Sequence, residues 1–559
     1  PPPFAPPDRR GHSHPQVSAD GFVVAYTDTR NCTGGSSCFI PYPDTIVSES
    51  CRLRIAGAAT LDLKVTGTPQ APYVDGRIDL DDAEIVMRDP RVIASDITGP
   101  IVFERDRVTL GNIKGFGFNG PLKDSAPATT GQYRTTSQKA IDQILLAKGL
   151  KVEYLTREAA NATDMMAFFP ADKPTHLVSC VEGGRQTLAN GKLNPSVQRI
   201  NLATGMVETI LRGLTSCDGI RTTPWGTILA TEEANDGGAY EILNPLITSE
   251  VTVTARNGCG AAATIASSTG SSNVIKHTAL PCLAWEGLIV LPSGVVIAGD
   301  ELRPGTGTAN ADGGAIFKFI PTTLRTGTGP ITNLSDSPLT TGKVYAMQVS
   351  CVNNIQQFGQ GCEVGNAAWL EVAAATARAD ANSKGATGYY RPEDLEQDPK
   401  FSDPANAKAI RFCWTNTQSE DAGSFGEVMC GIDEDPNTAS ATSRTVLVYR
   451  LIEGDEDFNQ PDNLEFQPKT GNVYVIEDHP NGDIWACLPD GNDRDLKSDG
   501  CVKMLSVKDS SAEPTGFIFD PTGTVAYVSI QHSDDAGMPL VDGYPTDDIL
   551  KITGFKLRK

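Results

Sequence analysis

Residues 216–233, SCDGIRTTPWGTILATEE, place a thiol and two adjacent carboxylates on either side of a Pro-Trp-Gly turn and a short apolar strand. Cys217 stands before the turn, and Glu232 and Glu233 end the strand. A soft sulfur ligand and hard oxygen ligands on one strand-turn unit suit a transition metal beside Ca²⁺. For Cys217 alone, a buried thiol or a disulfide partner is the alternative.

Short strands of this kind recur from about residue 150 to the end of the chain. Several follow a turn that contains Pro and Gly, as at 292–294, 468–471 and 521–523. The 54 Gly and 37 Pro residues suit a turn-rich β protein. Strand clusters repeated over about 400 residues predict a mainly β fold, a β-propeller with inserts near 250–280 and 350–410. The number of blades cannot be counted from the strand spacing.

Composition excludes several classes of function. The formal net charge of −22 argues against a nucleic-acid groove and against adhesion to anionic lipid. No run of 18 apolar residues occurs, so we expect no transmembrane helix. The chain starts Pro-Pro-Pro without Met, which we interpret as a processed mature form.

Thirteen Cys in an enzyme-sized chain favour disulfides and an oxidising compartment, periplasmic or extracellular. The number is odd, so at least one thiol stays unpaired if the others pair within the chain, and we assign that thiol to Cys217. The short spacings suggest four pairs: Cys32–Cys38, Cys351–Cys362, Cys413–Cys430 and Cys487–Cys501.

The first 150 residues differ in pattern from the rest. Residues 1–50 are a Pro-rich extension, and residues 51–120 alternate apolar and polar residues with period two, as a β-layer does. The pattern GTPQAPYVDGRIDLDDAEI resembles the TamB/AsmA-type lipid-transfer proteins, with a generic exposed β-layer as the alternative reading. Residues 121–149 form a linker and a short helix, expected from Gln138 to Ala147, and residues 150–559 form the propeller.

Carboxylates recur at the ends of the predicted propeller strands. Glu286 precedes a strand, and Asp462 and Asp478 flank another. In the Arg391-Pro-Glu393 segment, alternation sends both charged side chains to the same side of an extended chain. The Arg can then clamp a phosphate while the Glu holds a metal; a surface ion pair is the alternative.

From about residue 150, these segments resemble the PhoX-type alkaline phosphatases in content and order: SCDGIRTTPWGTILATEE, YYRPEDLE, FNQPDNLEFQPKTGNVYVIED and EPTGFIFDPTGTVAYVSIQH. The resemblance implies a six-bladed propeller whose axis holds iron and calcium and hydrolyses phosphomonoesters. By motif it makes Cys217 the iron-ligating thiolate and Arg391 the phosphate contact. It implies that six carboxylates bind metal: Glu232, Glu233, Glu286, Glu393, Asp462 and, as a further candidate, Asp478.

The chain departs from the family pattern at two points. Cys180 and Val181 stand where the family has Asn-His, and Trp285 stands where it has His. We therefore keep two hypotheses. The first is a secreted phosphomonoester hydrolase that uses Ca²⁺ and Fe³⁺ on small molecules. The alternative is a non-catalytic, calcium-stabilised propeller that serves as a subunit of an extracellular or envelope assembly, with a protein partner at the N-terminal β-layer.

Overall fold

The computed structural model describes the strand backbone between Gln16 and Leu110, without side chains, and residues 118–557 except 119, 131–133, 268–272, 304–312, 350–362, 419–423, 489–500 and 532–536. Cys32, Cys38, Cys351 and Cys362 lie outside the described residues, so their predicted pairing stays a prediction.

The N-terminal region contains two antiparallel sheets. A two-stranded sheet is formed by β1 (Gln16–Val17) and β2 (Val23–Val24). A five-stranded sheet follows in simple sequential order: β3 (Thr45–Ser48), β4 (Leu53–Thr68), β5 (Ala71–Arg88), β6 (Arg91–Glu104) and β7 (Arg107–Leu110). Four of its five strands fall within residues 51–120, where period-two alternation predicts a β-layer.

Two strands lead into the propeller: β8 (Ile144–Leu146) and β9 (Lys151–Ala160). Blade 1 is β10 (Thr163–Phe169), β11 (His176–Val181), β12 (Pro195–Asn201) and β13 (Val207–Arg212). Blade 2 is β14 (Cys217–Thr222), β15 (Ile228–Gly237), β16 (Ala239–Ile242) and, after an insert with β17 (Val251–Ala255) and β18 (Thr264–Ala266), β19 (Val274–Lys276). Blade 3 is β20 (Leu283–Val290), β21 (Val296–Asp300), β22 (Ile316–Pro321) and β23 (Gly342–Val349).

An insert with β24 (Gly365–Val372) and α1 (Ala377–Ser383) separates blades 3 and 4. Blade 4 is β25 (Pro392–Gln397), β26 (Ile410–Asn416), β27 (Glu427–Asp433) and β28 (Val446–Glu453). Blade 5 is β29 (Pro461–Phe466), β30 (Val473–Glu477), β31 (Asp483–Cys487) and β32 (Cys501–Val507). Blade 6 is β33 (Glu513–Phe519), β34 (Val525–Gln531) and β35 (Thr546–Thr553). Short 3₁₀ turns lie at Ala140–Asp142, Leu334–Asp336, Pro338–Thr340 and Ala374–Thr376.

The six blades close into a ring. The first strand of each blade packs against the first strand of the next, and β33 of blade 6 packs against β10 of blade 1. Blade 6 takes its fourth strand from the start of the propeller, because β9 pairs with β35. The fold is therefore mainly β, a six-bladed propeller, as predicted. Apolar clusters fill the spaces between adjacent blades.

The predicted helix from Gln138 to Ala147 is wrong. The structure has one 3₁₀ turn there, followed by β8, which pairs with the outer strand β32 of blade 5. The unpaired backbone of that edge strand offers hydrogen bonds that outweigh a short helical pattern. Ile141 stays about half exposed, whereas Ile144 is fully buried.

The segment predicted as a linker also packs on the propeller. Arg134 is buried and ion-pairs with Asp548 at 2.6 Å. Leu122 and Thr129 form β-bridges with Lys503 and Asp509. The division of the chain into the four predicted regions stays a prediction.

The described residues contain four disulfides. Cys413–Cys430 and Cys487–Cys501 confirm two predicted pairs, and Cys180–Cys217 and Cys259–Cys282 were not foreseen. This content is typical of an oxidising compartment. No helix in the described part of the chain is long and apolar enough to cross a membrane.

Candidate metal centre

The inner strand of each of the first five blades carries an acidic residue in its first half that directly follows a residue paired with the second strand. These residues are Asp164 on β10, Asp218 on β14, Glu286 on β20, Glu393 on β25 and Asp462 on β29. The second strands add Glu233 within β15 and three residues directly after strand ends: Glu182, Glu301 and Asp478.

A recurring bulge accompanies these inner-strand carboxylates. In each of the five blades, the residue before the carboxylate pairs with the second strand, and the register shifts directly after it. In blade 2, for example, Cys217 pairs with Glu232 and regular pairing resumes at Ile220. A β-bulge bends a strand and re-aims its side chains, and bulges are frequent beside active sites. The five inner strands thus share a bulge at the position of the acidic residue.

Seven carboxylates form three overlapping groups, and within each group one ligand atom per residue lies within 4.8 Å of the others. The groups are Asp164–Glu182–Asp218, Asp218–Glu233–Glu286 and Glu286–Glu393–Asp462. Asp218 and Glu286 each belong to two groups, so the groups form a continuous row from blade 1 to blade 5. The first strands that meet around the axis supply five of the seven residues.

The carboxylates of this row need nearby positive charge. Burial, followed by repulsion from Glu182, raises the pKa of Asp164 to about 8. Burial and the neighbouring Glu182 and Glu301 raise the pKa of Glu233 to about 11. The pKa values of Asp218 and Glu286 are also raised well above the ordinary range, by burial first and nearby carboxylates second. Carboxylates this close and this buried cannot all ionise without cations.

Arg391 is the one cation in direct ion-pair contact with the row among the described residues. Its Nε donates to Glu301 Oε1 at 2.6 Å, and its Nη2 lies 3.0 Å from Glu393 Oε1 and 3.1 Å from Asp478 Oδ2. The charge of Glu393 raises the already high pKa of Arg391 further. The residue has a φ of 53°, a left-handed conformation that is unusual for a non-glycine residue and is found at functional sites.

Neutral side chains fix several of the carboxylates. Thr417 Oγ1 donates to Glu393 Oε1 at 2.7 Å, and Gln531 Nε2 donates to Glu182 Oε2 at 3.0 Å. Thr515 Oγ1 donates to Asp164. Asp218 differs, because its Oδ1 is buried and has no hydrogen-bond partner among the described residues.

Glu232 does not join the row, so its prediction as a metal ligand is wrong. Its Oε1 accepts from Arg256 Nε at 2.6 Å and from the backbone N–H of Thr215 at 3.0 Å, and its Oε2 accepts from Gly238 N–H at 3.1 Å. Successive side chains on a strand point to opposite faces, so only Glu233 of the adjacent pair reaches the row.

The prediction of Cys217 as a free thiolate and iron ligand is also wrong. Its Sγ is bonded to Cys180 Sγ, and both residues are fully buried. A sulfur bound in a disulfide is no thiolate and cannot serve as the soft ligand. Cys180, one of the residues at which the chain departs from the expected family pattern, is the partner of Cys217 in this bond.

The other predicted residues lie at the centre. Glu233, Glu286, Glu393 and Asp462 belong to the three groups, and Arg391 and Asp478 are ion-paired beside them.

Sequence reasoning missed Asp164, Glu182 and Asp218 as candidate ligands. Their signal is the blade repeat itself: an acidic residue at the start of an inner strand, matched by one at the end of the next strand. The repeat becomes visible only after the strands have been aligned.

Comparison with known proteins places these features in a family. The family described as alkaline phosphatase PhoX matches residues 211–534, more than half of the 559-residue chain. No curated protein sequence matches the chain. Nothing in the comparisons supports the resemblance to the TamB/AsmA-type proteins.

Among solved structures, a Pseudomonas fluorescens PhoX in complex with vanadate, a transition state analogue, is 16% identical with a TM-score of 0.49, over 78% of this chain and 98% of that one. A gluconolactonase from Xanthomonas campestris is 12% identical with a TM-score of 0.35, over 78% and 98%. The PQQ-bound aldose sugar dehydrogenase from Streptomyces coelicolor is 11% identical with a TM-score of 0.35, over 73% and 99%. On the family match, the chain belongs to the PhoX alkaline phosphatases.

Proposed function

We propose that this protein hydrolyses small-molecule phosphomonoesters with Ca²⁺ ions held by the seven carboxylates of the row. The observation that carries the proposal is the convergence of carboxylates from five blades into three overlapping groups beside Arg391. Family membership supports phosphoester chemistry, and the disulfides support a periplasmic or extracellular location.

The donor set fits calcium. All seven side chains offer carboxylate oxygens, the ligands that Ca²⁺ takes six to eight at a time at roughly 2.3–2.6 Å. The buried Oδ1 of Asp218 has no hydrogen-bond partner in the described structure, as expected of an oxygen that binds a cation. The donor set does not fit the predicted iron site, because the thiolate assigned to Fe³⁺ is bound in the Cys180–Cys217 disulfide. We therefore leave iron out of the proposed reaction.

Bound calcium would supply positive charge that polarises the phosphoryl oxygens and orients the ester. The protein's own contribution at this point is Arg391. Two of its nitrogens are engaged by Glu301, Glu393 and Asp478, which hold the guanidinium in place. These contacts are made by Nε and Nη2, so Nη1 can donate to a phosphoryl oxygen as negative charge develops there.

The binding hypothesis remains the second candidate. Arg391 is surrounded by three carboxylates, an arrangement that also serves a propeller stabilised by calcium without turnover. The five-stranded N-terminal sheet would then supply the surface for a protein partner. This candidate predicts calcium binding without hydrolysis.

A phosphatase assay on metal-defined protein separates the two candidates. The protein is stripped with a chelator, reloaded with Ca²⁺, and assayed with p-nitrophenyl phosphate and with a phosphodiester as the control. We expect calcium-dependent release of phosphate from the monoester only. Calcium binding without any turnover would support the binding hypothesis, and no calcium binding would refute both.

A further inference from the structure

One disulfide of the described residues directly adjoins the carboxylate row. Cys217 begins β14 and immediately precedes Asp218, and Cys180 lies on β11 two residues before Glu182. The bond therefore joins blade 1 to blade 2 at the level of the first cation group, which consists of Asp164, Glu182 and Asp218.

Two of the other three described disulfides each lie within a single blade. Cys413–Cys430 links β26 to β27 within blade 4, and Cys487–Cys501 links β31 to β32 within blade 5. Each of these two disulfides connects strands that already share a ladder of hydrogen bonds. Cys180–Cys217 instead joins strands of two different sheets.

Asp218, like Glu286, is a carboxylate whose position affects more than one group. It belongs to two of the three groups, so its position sets the separation of two cation sites. Glu393, Glu182 and Asp164 are each held by a neutral hydrogen-bond donor, whereas Asp218 Oδ1 has none in the described structure. The position of the Asp218 carboxylate therefore depends on its backbone.

That backbone is fixed beside the disulfide. Ser216 N–H donates to Gly183 O at 3.2 Å across the same blade junction, and Glu233 N–H donates to Ser216 O at 2.7 Å. The covalent bond at Cys217 and these two hydrogen bonds lie within two residues of Asp218. Together they set the distance between the blade that carries Glu182 and the blade that carries Glu233.

We infer that the Cys180–Cys217 disulfide is a positioning cross-link that holds Asp218 at the spacing needed by the cations it shares. The inference rests on the proposed function, since it presumes that cations occupy these groups. Both cysteines are fully buried, so the bond acts as a permanent part of the site. Residues that orient metal ligands typically change metal affinity by about 10- to 100-fold when they are altered.

Calcium titration calorimetry tests the inference on four proteins: the wild type, Cys180→Ser/Cys217→Ser, the control Cys413→Ser/Cys430→Ser, and Asp218→Asn. All titrations are run well below the unfolding temperature of each protein in chelator. We expect the Cys180/Cys217 variant to lose about 10- to 100-fold in calcium affinity at the sites that Asp218→Asn also weakens. The control should keep wild-type affinity, although it too loses stability.

Several outcomes would overturn the inference. If the Cys180/Cys217 variant keeps wild-type calcium affinity, the disulfide contributes to stability and does not position Asp218. Alkylation of Cys217 in unfolded, unreduced wild-type protein would show that the bond is absent. If the wild type binds no calcium at all, the proposed function fails, and the inference with it.

The serine pair places two hydroxyls in buried space. If it does not fold, the apolar pair Cys180→Ala/Cys217→Val takes its place in the same titration.

Discussion

Glu232 and Glu233 are neighbours on β15, yet their carboxylates serve opposite sides of the strand. Glu232 is fully buried and accepts a hydrogen bond from Arg256 at 2.6 Å. Glu233 lies with Asp218 and Glu286, one oxygen of each within 4.8 Å of the others. One strand thus contributes a structural ion pair and a candidate metal ligand from two identical consecutive residues.

This relationship gives a matched pair of variants. Glu233→Gln removes a charged ligand from the second group, so we expect weaker calcium binding and much lower phosphatase activity. Glu232→Gln weakens the charge-assisted hydrogen bond from Arg256, which keeps Asp236 as a second partner at 2.7 Å, so we expect about 1.5–3 kcal/mol less stability and near-normal calcium affinity. Calorimetry and urea unfolding measure the two effects. Equal loss of calcium affinity in both variants would contradict the assignment.

The class of fold was predictable from the sequence because turn chemistry and short strands are local signals. Repeated Pro/Gly turns and strand clusters indicated a propeller, and the resemblance supplied the number of blades. The helix at Gln138–Ala147 failed because the outcome depended on a distant edge strand. No local pattern shows that Ile144 pairs with Val507.

Site residues were predictable from the sequence where they lie in a recognisable motif. They were unpredictable where only the pairing register of the strands decides which way a side chain points. Glu233, Glu286, Glu393 and Asp462 lie in quotable motifs, and they converge. Whether the Glu232 side chain reaches the row depends on how side chains alternate along a strand with a bulge. Cys217 was misassigned because an odd number of Cys cannot reveal which thiol is unpaired, and its partner Cys180 lies in the neighbouring blade.

The buried carboxylate of Glu241 should make part of the stability dependent on pH. Burial alone would raise its pKa, but hydrogen bonds and charge from His277, aided by Thr227 and Trp225, lower the pKa below the ordinary value. The three donor atoms each lie 2.6 Å from a Glu241 oxygen. A lowered pKa means that this stability is present above the unfolded pKa of about 4.3 and is lost as pH falls through the folded value.

We therefore expect Glu241→Gln to cost about 2–3 kcal/mol at pH 7, since hydrogen bonds to a charged group are lost. The difference from wild type should shrink as the pH is lowered below 4. Urea unfolding of both proteins between pH 3.5 and pH 7 measures it. A difference that stays constant across that range would mean that the Glu241 charge contributes nothing.

Removal of calcium should lower the stability of the whole propeller, because the carboxylates of the row come from five blades. A ligand that binds only the folded state adds about 2.7 kcal/mol per site at 100 times its Kd. Differential scanning calorimetry in chelator, and then with Ca²⁺ restored, should show a lower and then a recovered unfolding temperature. An unfolding temperature that changes neither with chelator nor with Ca²⁺ would exclude occupied cation sites.

The same preparations test for iron. With the Cys217 sulfur in a disulfide, added Fe³⁺ should give no thiolate-to-iron charge-transfer absorption, and metal analysis of the washed protein should find calcium in excess of iron. Cys413→Ser/Cys430→Ser is a control that leaves the centre unchanged. Stoichiometric iron with that absorption band would restore Cys217 as a ligand and refute the disulfide.

Arg391→Ala should lower phosphomonoester turnover by about 10²- to 10³-fold, the usual loss when one donor to developing charge is removed. The structure adds an expectation for stability. Arg391 compensates Glu301, Glu393 and Asp478, so its loss should destabilise the protein more in chelator than in saturating Ca²⁺, where cations supply that compensation.

Arg391→Lys is the matched variant, because it keeps the charge but loses the planar fork that lets one group hold carboxylates and also donate to phosphate. We expect it to recover most of the stability in chelator and little of the turnover. Steady-state kinetics and thermal unfolding, each with and without calcium, give the four numbers needed. If Arg391→Ala turns over substrate at the wild-type rate, Arg391 is a structural ion-pair partner of Glu393 and its neighbours, and the donor to the phosphoryl group must be sought elsewhere on the rim.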